Sequence, residues 1–245
     1  MKKKSQAPAL TRGLEILKLL NQEPDLTVEE MAKQTGYPRA SLFRILGTLI
    51  DFGAVSKKRD NTGYRASMML LPVHTSRKDF QDRILTVLNN LSQRTGHTAE
   101  WYVPDERGMV LVMRREPTGQ EVTVRAGIGF VRPWTGELDA VAAVAYAFSD
   151  RRPATAGFWT YVTDGKQGKL TRREVEKRIQ TANKEQCLAD TAFNSNGVRR
   201  SAAVVFDAEK MAGVIAVAEC MNFRTETPAE KPLSVLREEI KPCDF

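Results

Sequence analysis

The sequence predicts an α+β protein with an N-terminal helical domain, a helical linker and a C-terminal domain built on an antiparallel sheet. Three observations predict this fold class. Apolar residues recur at helical spacing before residue 53, strand-like runs alternate with helices after residue 96, and the excess positive charge lies in the first third of the chain. We expect domains at residues 1–72 and 96–245, with the linker helix at 73–95.

The distribution of charge favours an anionic partner for the N-terminal domain. The net charge of the chain is +7. Residues 1–79 hold 14 Lys and Arg against 8 Asp and Glu, whereas residues 80–245 hold 23 against 22. Because nearly all of the excess lies in the first third, double-stranded DNA is the simplest partner. A basic surface that is merely solvated is the alternative.

Composition excludes several classes of protein. The cysteines Cys187, Cys220 and Cys243 lack CxxC spacing, which is typical of reduced cytosolic thiols. His74 and His97 are the only histidines, too few for a His-rich metal site. No apolar run approaches the roughly 20 residues that a membrane span needs, and no apolar stretch follows the basic start as in a secretory signal. These features predict a cytoplasmic protein that does not contact a membrane.

Motifs for catalysis are absent from the sequence. Neither G-x-S-x-G nor H-E-x-x-H occurs. The segment GKQGKLT departs from a phosphate-binding loop because Leu170 follows its second lysine. We therefore predict no enzyme activity and no cofactor.

The first two helices are predicted by apolar spacing and by capping residues. In ALTRGLEILKLLNQEP a stripe of leucines ends before Pro24, and it comprises Leu10, Leu14, Leu17 and Leu20. In LTVEEMAKQTG a capping box of Thr27 and Glu30 opens a short helix, and Gly36 ends it.

The third helix, in YPRASLFRILGTLIDFG, combines an apolar stripe with a small, polar and basic outer face. Pro38 suits its first turn, and Gly53 ends it. The stripe comprises Leu42, Ile45, Leu46, Leu49 and Ile50. At about 100° per residue, the exposed N-terminal half presents Arg39, Ala40, Ser41, Phe43 and Arg44. Such a face suits a helix that enters a major groove, where arginine can bind guanine.

A basic hairpin follows the third helix. The segment AVSKKRDNTGYRAS has the pattern of strand, turn and strand. Its basic residues are placed to reach phosphates beside the third helix, and they are Lys57, Lys58, Arg59 and Arg65. This order of elements indicates a winged helix-turn-helix that binds DNA. A three-helix packing unit with incidental arginines is the alternative.

The N-terminal segment resembles a known family. The opening RGLEIL, the core LTVEEMAKQTGYPRASLFRIL and the closing GYR are similar, in order, to the DNA-binding domain of IclR-type transcriptional regulators. The resemblance implies a homodimer or tetramer that binds a palindromic operator, and a small-molecule effector that shifts the placement of the reading helices. Ala40 departs from the family, which often has Ser there, and leaves Ser41 to make the contact.

The remaining two thirds mix strands with helices. A helix expected at 77–94 precedes three strand-like runs within 98–127, an Ala-rich helix, a polar helix, a hairpin of apolar strands and a final helix. This order resembles the effector-binding domain of the same family, which is GAF-like. The resemblance implies effector contacts at Leu138, Asp139, Asp190, Arg200, Val217 and Glu219, with Trp101 and Trp134 lining the same cavity.

Arg200 suggests the chemistry of the effector. Arginine is well suited to bind a carboxylate through two hydrogen bonds. The hypothesis is an effector larger than pyruvate that carries a carboxylate and a donor group. Two alternatives stay open: Arg200 neutralises Glu219 across neighbouring strands, or the pocket is filled and the domain only dimerises.

We therefore predict a ligand-responsive transcriptional regulator, acting as a repressor or an activator. The second hypothesis is a small-molecule sensor or dimerisation protein that acts through protein partners and has a degenerate DNA-binding domain. The dependence of DNA binding on salt separates the two, because contacts to several phosphates weaken steeply as salt rises.

Overall fold

The computed structural model describes residues 6–58, 62–68, 78–151, 153, 157–162, 166–207, 209–221 and 230–240. The chain divides into two compact units, residues 1–70 and 71–245. Each unit contains both helices and strands, so the mixed α+β class predicted from the sequence is confirmed.

The first unit contains helices and a two-stranded antiparallel hairpin. Its elements are α1 (Pro8–Gln22), α2 (Val28–Thr35), α3 (Arg39–Asp51), β1 (Val55–Lys57) and β2 (Tyr64–Ala66). Every element contributes to one core, which includes Ile16, Leu17, Leu20, Met31, Leu42, Leu46, Val55 and Tyr64. This arrangement is the winged helix-turn-helix that the sequence predicts.

Helix α2 begins and ends at the predicted capping residues. The Thr27 hydroxyl accepts a hydrogen bond from the backbone N–H of Glu30, and the Glu30 carboxylate accepts one from the backbone N–H of Thr27. Gly36 then adopts a φ of 73°, a left-handed conformation that glycine takes without a steric penalty. These local signals set the start of the turn that leads into α3.

Parts of the two predicted apolar stripes lie outside the core of the first unit. Leu10 and Leu14 are 63% and 48% exposed, because the first turns of α1 flank an open groove beside α3 instead of the core. Ile50 is 37% exposed, since it shares the outer flank of α3 with the exposed Phe43. The core therefore takes its apolar side chains from the second half of α1 and from the inner side of α3.

The second unit is built on a six-stranded antiparallel sheet of order β5-β4-β3-β10-β9-β8. Its helices are α4 (Lys78–Thr95), α5 (Ala140–Phe148), α6 (Arg172–Glu185) and α7 (Glu230–Ile240). The sheet strands are β3 (Thr98–Pro104), β4 (Gly108–Arg115), β5 (Val131–Pro133), β8 (Cys187–Ala189), β9 (Val198–Asp207) and β10 (Lys210–Cys220). The remaining strands, β6 (Trp159–Val162) and β7 (Lys166–Lys169), form a separate hairpin.

Helices cover both faces of this sheet. Side chains on one face pack with α5 and α6, and they include Tyr102, Ala202, Val204, Val214 and Ala216. Side chains on the other face pack with α4 and α7, and they include Trp101, Val103, Ala203, Val205, Ile215 and Val217. Because both faces are buried, β9 and β10 are apolar at consecutive positions and not only at alternate ones.

One predicted strand is absent from the second unit. Residues 121–126, the third strand-like run, form no strand. Val122 is 70% exposed, and the backbone carbonyl of Val124 accepts a hydrogen bond from the Thr98 hydroxyl. The position beside β4 is occupied by β5 instead, which at three residues is too short to show a clear alternating pattern.

Gly63→Ala is expected to destabilise the first unit. A Cβ at this position would lie 2.4 Å from the backbone oxygen of Asp25, so the hairpin or the loop before α2 has to shift. We expect the free energy of unfolding to fall by about 1–3 kcal/mol, measured by urea titration of the full chain.

Gly47→Ala is the matched control for this substitution. A Cβ at position 47, inside α3, meets nothing within 4 Å. Alanine should therefore raise the free energy of unfolding by up to about 1 kcal/mol, as expected for glycine in a helix interior. Equal stability of the two variants would contradict the close approach at Gly63.

Candidate DNA-binding surface and effector site

Helix α3 exposes the residues that the sequence assigns to DNA. Its buried leucines anchor one side in the core, so the opposite side faces solvent. Ser41 is half-buried, and the exposed residues are Arg39, Ala40, Phe43 and Arg44. Pro38 is the N-cap, and no side chain caps the helix. A helix N-terminus without a side-chain cap is suited to bind an anion.

The basic residues predicted to bind DNA differ in whether an acidic side chain of the chain already binds them. Arg39 forms a salt bridge of 3.2 Å with Glu29 on α2. Arg65 donates two hydrogen bonds, of 3.1 and 2.6 Å, to the carboxylate of Asp25. These acids cancel part of the positive charge that the sequence assigns to DNA. Among the described residues no acid forms an ion pair with Arg44, whose guanidinium group can bind an external acceptor.

The hairpin presents lysines beside α3. The Nζ atom of Lys57 lies 5.9 Å from the centre of the Tyr64 ring, which holds the cation without neutralising it. The backbone N–H of Lys58 donates to the carbonyl of Gly63 at 2.9 Å, and its side chain is exposed. Arg59 lies outside the described residues.

The predicted effector residues lie on opposite sides of the sheet in the second unit. On the α5 side are Trp134, Leu138, Asp139, Asp190 and Arg200. Trp101 and Val217 pack with α4 and α7 on the other side, and Glu219 shares that side by strand alternation. The expectation that Trp101 and Trp134 line one cavity is therefore wrong, because the sheet separates them.

Arg200 pairs with an acid that sequence reasoning missed. Its guanidinium group donates to the carboxylate of Glu100 on β3 at 2.8 and 3.3 Å, and both side chains are buried. Strand β10 lies between them, so the arginine crosses above the small Ala216, which is opposite Glu100 in register. The alternative that Arg200 neutralises Glu219 is wrong. Arg199 stands opposite Glu219 and donates to it at 2.6 and 3.0 Å.

Two further arginine–carboxylate pairs surround the start of α5. Arg132 on β5 donates to Asp139, whose other carboxylate oxygen caps the helix. Arg178 on α6 donates to Asp190 at 2.6 Å. Asp190 also accepts the backbone N–H of Ala140, so it holds the first turn of α5. Sequence reasoning missed both arginines, because no local motif marks their partners.

Tyr102 joins the Arg200–Glu100 pair to the Arg132–Asp139 pair, and the backbone N–H of Arg200 connects the third pair by donating to Asp190 at 3.3 Å. The Tyr102 hydroxyl donates to Glu100 at 2.9 Å and accepts from Arg132 at 3.3 Å. Burial, followed by the charge of Glu100, raises the pKa of Tyr102 to about 12. We call the connected residues and the adjacent Glu137 the polar cluster, which comprises Glu100, Tyr102, Arg132, Glu137, Asp139, Arg178, Asp190 and Arg200.

Among the described residues, Glu137 is the member of the polar cluster without a hydrogen-bond partner. It is partly buried, and no described residue donates a hydrogen bond to its carboxyl group. Burial, followed by the nearby charge of Asp139, raises the pKa of Glu137 to about 7. Burial and Asp139 also raise the pKa of Asp190 to about 6, although Arg178 opposes this shift. The cluster can therefore take a proton, or accept a hydrogen bond from a ligand, at Glu137.

Trp134 forms an apolar wall beside the polar cluster. Its ring centre lies 5.3 Å from that of Tyr146, which in turn lies 5.8 Å from that of Phe158. The Trp134 Nε1–H donates to the backbone oxygen of Asp105 at 2.8 Å. These contacts fix the indole, and the guanidinium carbon of Arg151 lies over its ring at 4.8 Å from the centre.

Among the described residues, no group of three or more His, Cys, Asp or Glu side chains is arranged to hold a metal ion. None of the described helices combines the length and the apolar character needed to cross a membrane.

Comparison with known proteins connects both units to one family. Residues 9–59 match the IclR helix-turn-helix domain. The HTH-type transcriptional regulator XynR of Escherichia coli strain K12 is 26% identical over 95% of this chain and 92% of its own length. An IclR transcriptional regulator from Alicyclobacillus acidocaldarius superposes with a TM-score of 0.74 at 19% identity, over 97% of this chain and 96% of that one. An IclR homologue from Microbacterium hydrocarbonoxydans, in complex with 4-hydroxybenzoate, gives 0.67 at 13% identity over 95% and 96%.

A winged helix-turn-helix followed by a separate antiparallel-sheet domain is the architecture that this chain shares with the IclR structures. Residues 9–59 form an IclR-type helix-turn-helix domain, and the chain is similar to IclR-type transcriptional regulators over nearly its full length. The resemblance drawn from its sequence is confirmed. XynR is a transcriptional regulator, and the Microbacterium hydrocarbonoxydans protein binds 4-hydroxybenzoate.

Arg200→Met is expected to lower the free energy of unfolding by about 3–5 kcal/mol, because it leaves the buried carboxylate of Glu100 without its cation. Urea titration measures the decrease. Adding Glu100→Gln should recover most of it, since the remaining partner is then neutral. Arg172→Met is the control: its pair with Glu176 is exposed, so the change should stay within about 0.5 kcal/mol. A double variant no more stable than Arg200→Met would contradict the pairing.

Glu137→Gln is expected to change how stability depends on pH. The folded pKa of about 7 lies above the ordinary value of 4.5, so the folded protein holds a proton that the unfolded chain releases. This contribution is complete below the unfolded pKa and is lost as pH rises through the folded one. The melting temperature of Glu137→Gln, measured by scanning calorimetry, should therefore rise relative to that of wild type as the pH increases from about 5 to about 8. A difference independent of pH would count against the buried, unpaired carboxyl group.

Proposed function

We propose that the chain is a ligand-responsive transcriptional regulator that acts in the cytoplasm as a homodimer or tetramer on a palindromic operator. Helix α3 of each DNA-binding domain enters the major groove of one half-site. The two α3 helices of a dimer then lie about 34 Å apart. A small molecule in the GAF-like C-terminal domain changes the equilibrium between two placements of the reading helices, because it binds one of them more tightly.

The observation that supports this proposal most strongly is the exposure of Arg44 and its lack of an ion pair with any described acid. Arg44 is exposed on the outer face of α3, and no described acid forms an ion pair with it. A guanidinium group in this position suits bidentate binding of guanine. Lys57, on the hairpin of the same unit, is held by an aromatic ring and suits a phosphate. Arg39 and Arg65 already bind acids of the chain, so they contribute less to DNA binding.

The effector site is proposed at the start of α5, between the polar cluster and Trp134. A carboxylate on the effector has to compete with the chain's own carboxylates for Arg132, Arg178 or Arg200. A donor group on the effector meets Glu137, which is unpaired among the described residues. The first probes are therefore compounds that carry both groups. The 4-hydroxybenzoate held by the Microbacterium hydrocarbonoxydans protein, with a carboxylate and a hydroxyl group, is one such compound.

Thermal-shift measurements test the effector site. A compound that raises the melting temperature of wild type, but not that of Glu137→Gln, supports binding at the cluster. If a broad set of carboxylates and amino compounds has no effect, the pocket is filled and the domain serves assembly alone.

Arg44→Ala and Lys57→Ala should weaken DNA binding in different ways. Removing the Arg44 side chain should reduce discrimination between operator and random duplex by about 1–3 kcal/mol for each base that its guanidinium group binds. Removing the Lys57 side chain should weaken binding to both duplexes by the same factor and reduce the salt slope by about 1. Fluorescence anisotropy titrations of the full chain, at several salt concentrations, measure both effects.

Each outcome of these titrations decides a separate point. An unchanged affinity ratio in Arg44→Ala means that Arg44 does not contact bases. Wild-type binding that ignores both salt and sequence contradicts the regulator, and favours a sensor that acts through protein partners.

A further inference from the structure

An open groove runs between α1 and α3 in the first unit. Its volume is about 410 Å³, and it is lined on the α3 side by Ser41, Arg44 and Thr48 and on the α1 side by Arg12. None of the described residues that line it is acidic. The polar part of this surface is thus positively charged and carries hydroxyl groups, a combination that complements the phosphate backbone of DNA.

Arg12 is held in place without being neutralised. Its guanidinium carbon lies 5.2 Å from the centre of the Tyr37 ring, in the turn before α3. The nearby carboxylate of Glu15 accepts a hydrogen bond from the Tyr37 hydroxyl. No ion pair involves Arg12 among the described residues. The ring therefore orients the guanidinium group, while its N–H donors stay available to an external anion.

The position of the groove between α1 and α3 indicates that the external anion is a phosphate of DNA. An α-helix with its side chains is about 10–12 Å across, and the major groove is about 12 Å wide, so the flanks of an inserted helix face the two phosphate strands. The groove between α1 and α3 of the protein lies along one flank of α3 and includes Arg44. When α3 lies in the major groove, the residues beside that flank therefore face one strand of the duplex.

We propose that Arg12 is a phosphate-binding residue, which extends the DNA interface from α3 and the hairpin to α1. Tyr37 positions the guanidinium group, and one phosphate on the strand beside α3 accepts its hydrogen bonds. The contact positions the DNA-binding domain and does not read sequence. This inference rests on the proposed function, because it requires α3 to lie in the major groove.

Salt-dependent binding of two duplexes tests the proposal. The probes are the DNA directly upstream of the chain's own coding sequence and a random duplex of equal length. Arg12→Gln should weaken binding to both by the same factor and reduce the slope of log affinity against log salt by about 1, as expected when one phosphate is no longer bound. Arg12→Lys should keep the wild-type slope, since it keeps the charge.

Arg173→Gln is the matched control. It removes one exposed positive charge from α6 in the second unit, so it changes the net charge of the chain by the same amount. The slope of this variant should equal that of wild type. An equal decrease in slope in Arg12→Gln and Arg173→Gln would mean that net charge, and not a specific contact, accounts for the effect.

A measurement on wild type removes the dependence on variant folding. Phenylglyoxal modification of Arg12, followed by mass spectrometry, should be suppressed by a saturating random duplex, whereas modification of Arg173 should not change. Equal modification of Arg12 with and without DNA overturns the proposal. A wild-type chain that binds neither duplex in a salt-dependent way overturns the proposed function itself, so the two failures are distinguishable.

Discussion

The second unit depends on one constraint: its central strands β3, β9 and β10 are covered by helices on both faces. Side chains at odd and even positions of these strands therefore lie in two different buried layers, one on each side of the sheet. A one-residue difference separates Arg199, paired with Glu219 on one side, from Arg200, paired with Glu100 on the other. Strand alternation thus decides which charges can meet.

Burial then requires that these charges be compensated within the chain. Buried ions lose their hydration, so arginines inside the sheet domain need carboxylates at hydrogen-bonding distance. Arg132, Arg178 and Arg200 all satisfy this requirement around the start of α5. The cluster has one more carboxyl group than guanidinium groups, and the surplus falls on Glu137. A ligand that enters here meets a network whose described members are already paired, except at that residue.

The DNA-binding unit shows a different use of charge. Some of its cations are bound by acids: Arg65 binds Asp25, which fastens the hairpin to the loop before α2, and Arg39 binds Glu29, which joins α3 to α2. Others rest on aromatic rings, as Arg12 does on Tyr37 and Lys57 on Tyr64. A ring orients a cation but leaves its charge and its donors in place. The unit can therefore be rigid and still attract a polyanion.

The sequence by itself determined the elements of the DNA-binding unit, because helix period, the Thr27 capping box and the Gly36 C-cap act between residues close in the chain. It also determined helix α4 and the apolar hairpin of β9 and β10, whose patterns are long. Only the tertiary structure decided that Arg200 meets Glu100, that Trp101 and Trp134 lie on opposite faces, and that residues 121–126 form no strand. These outcomes depend on strand order and register, which join residues up to a hundred positions apart.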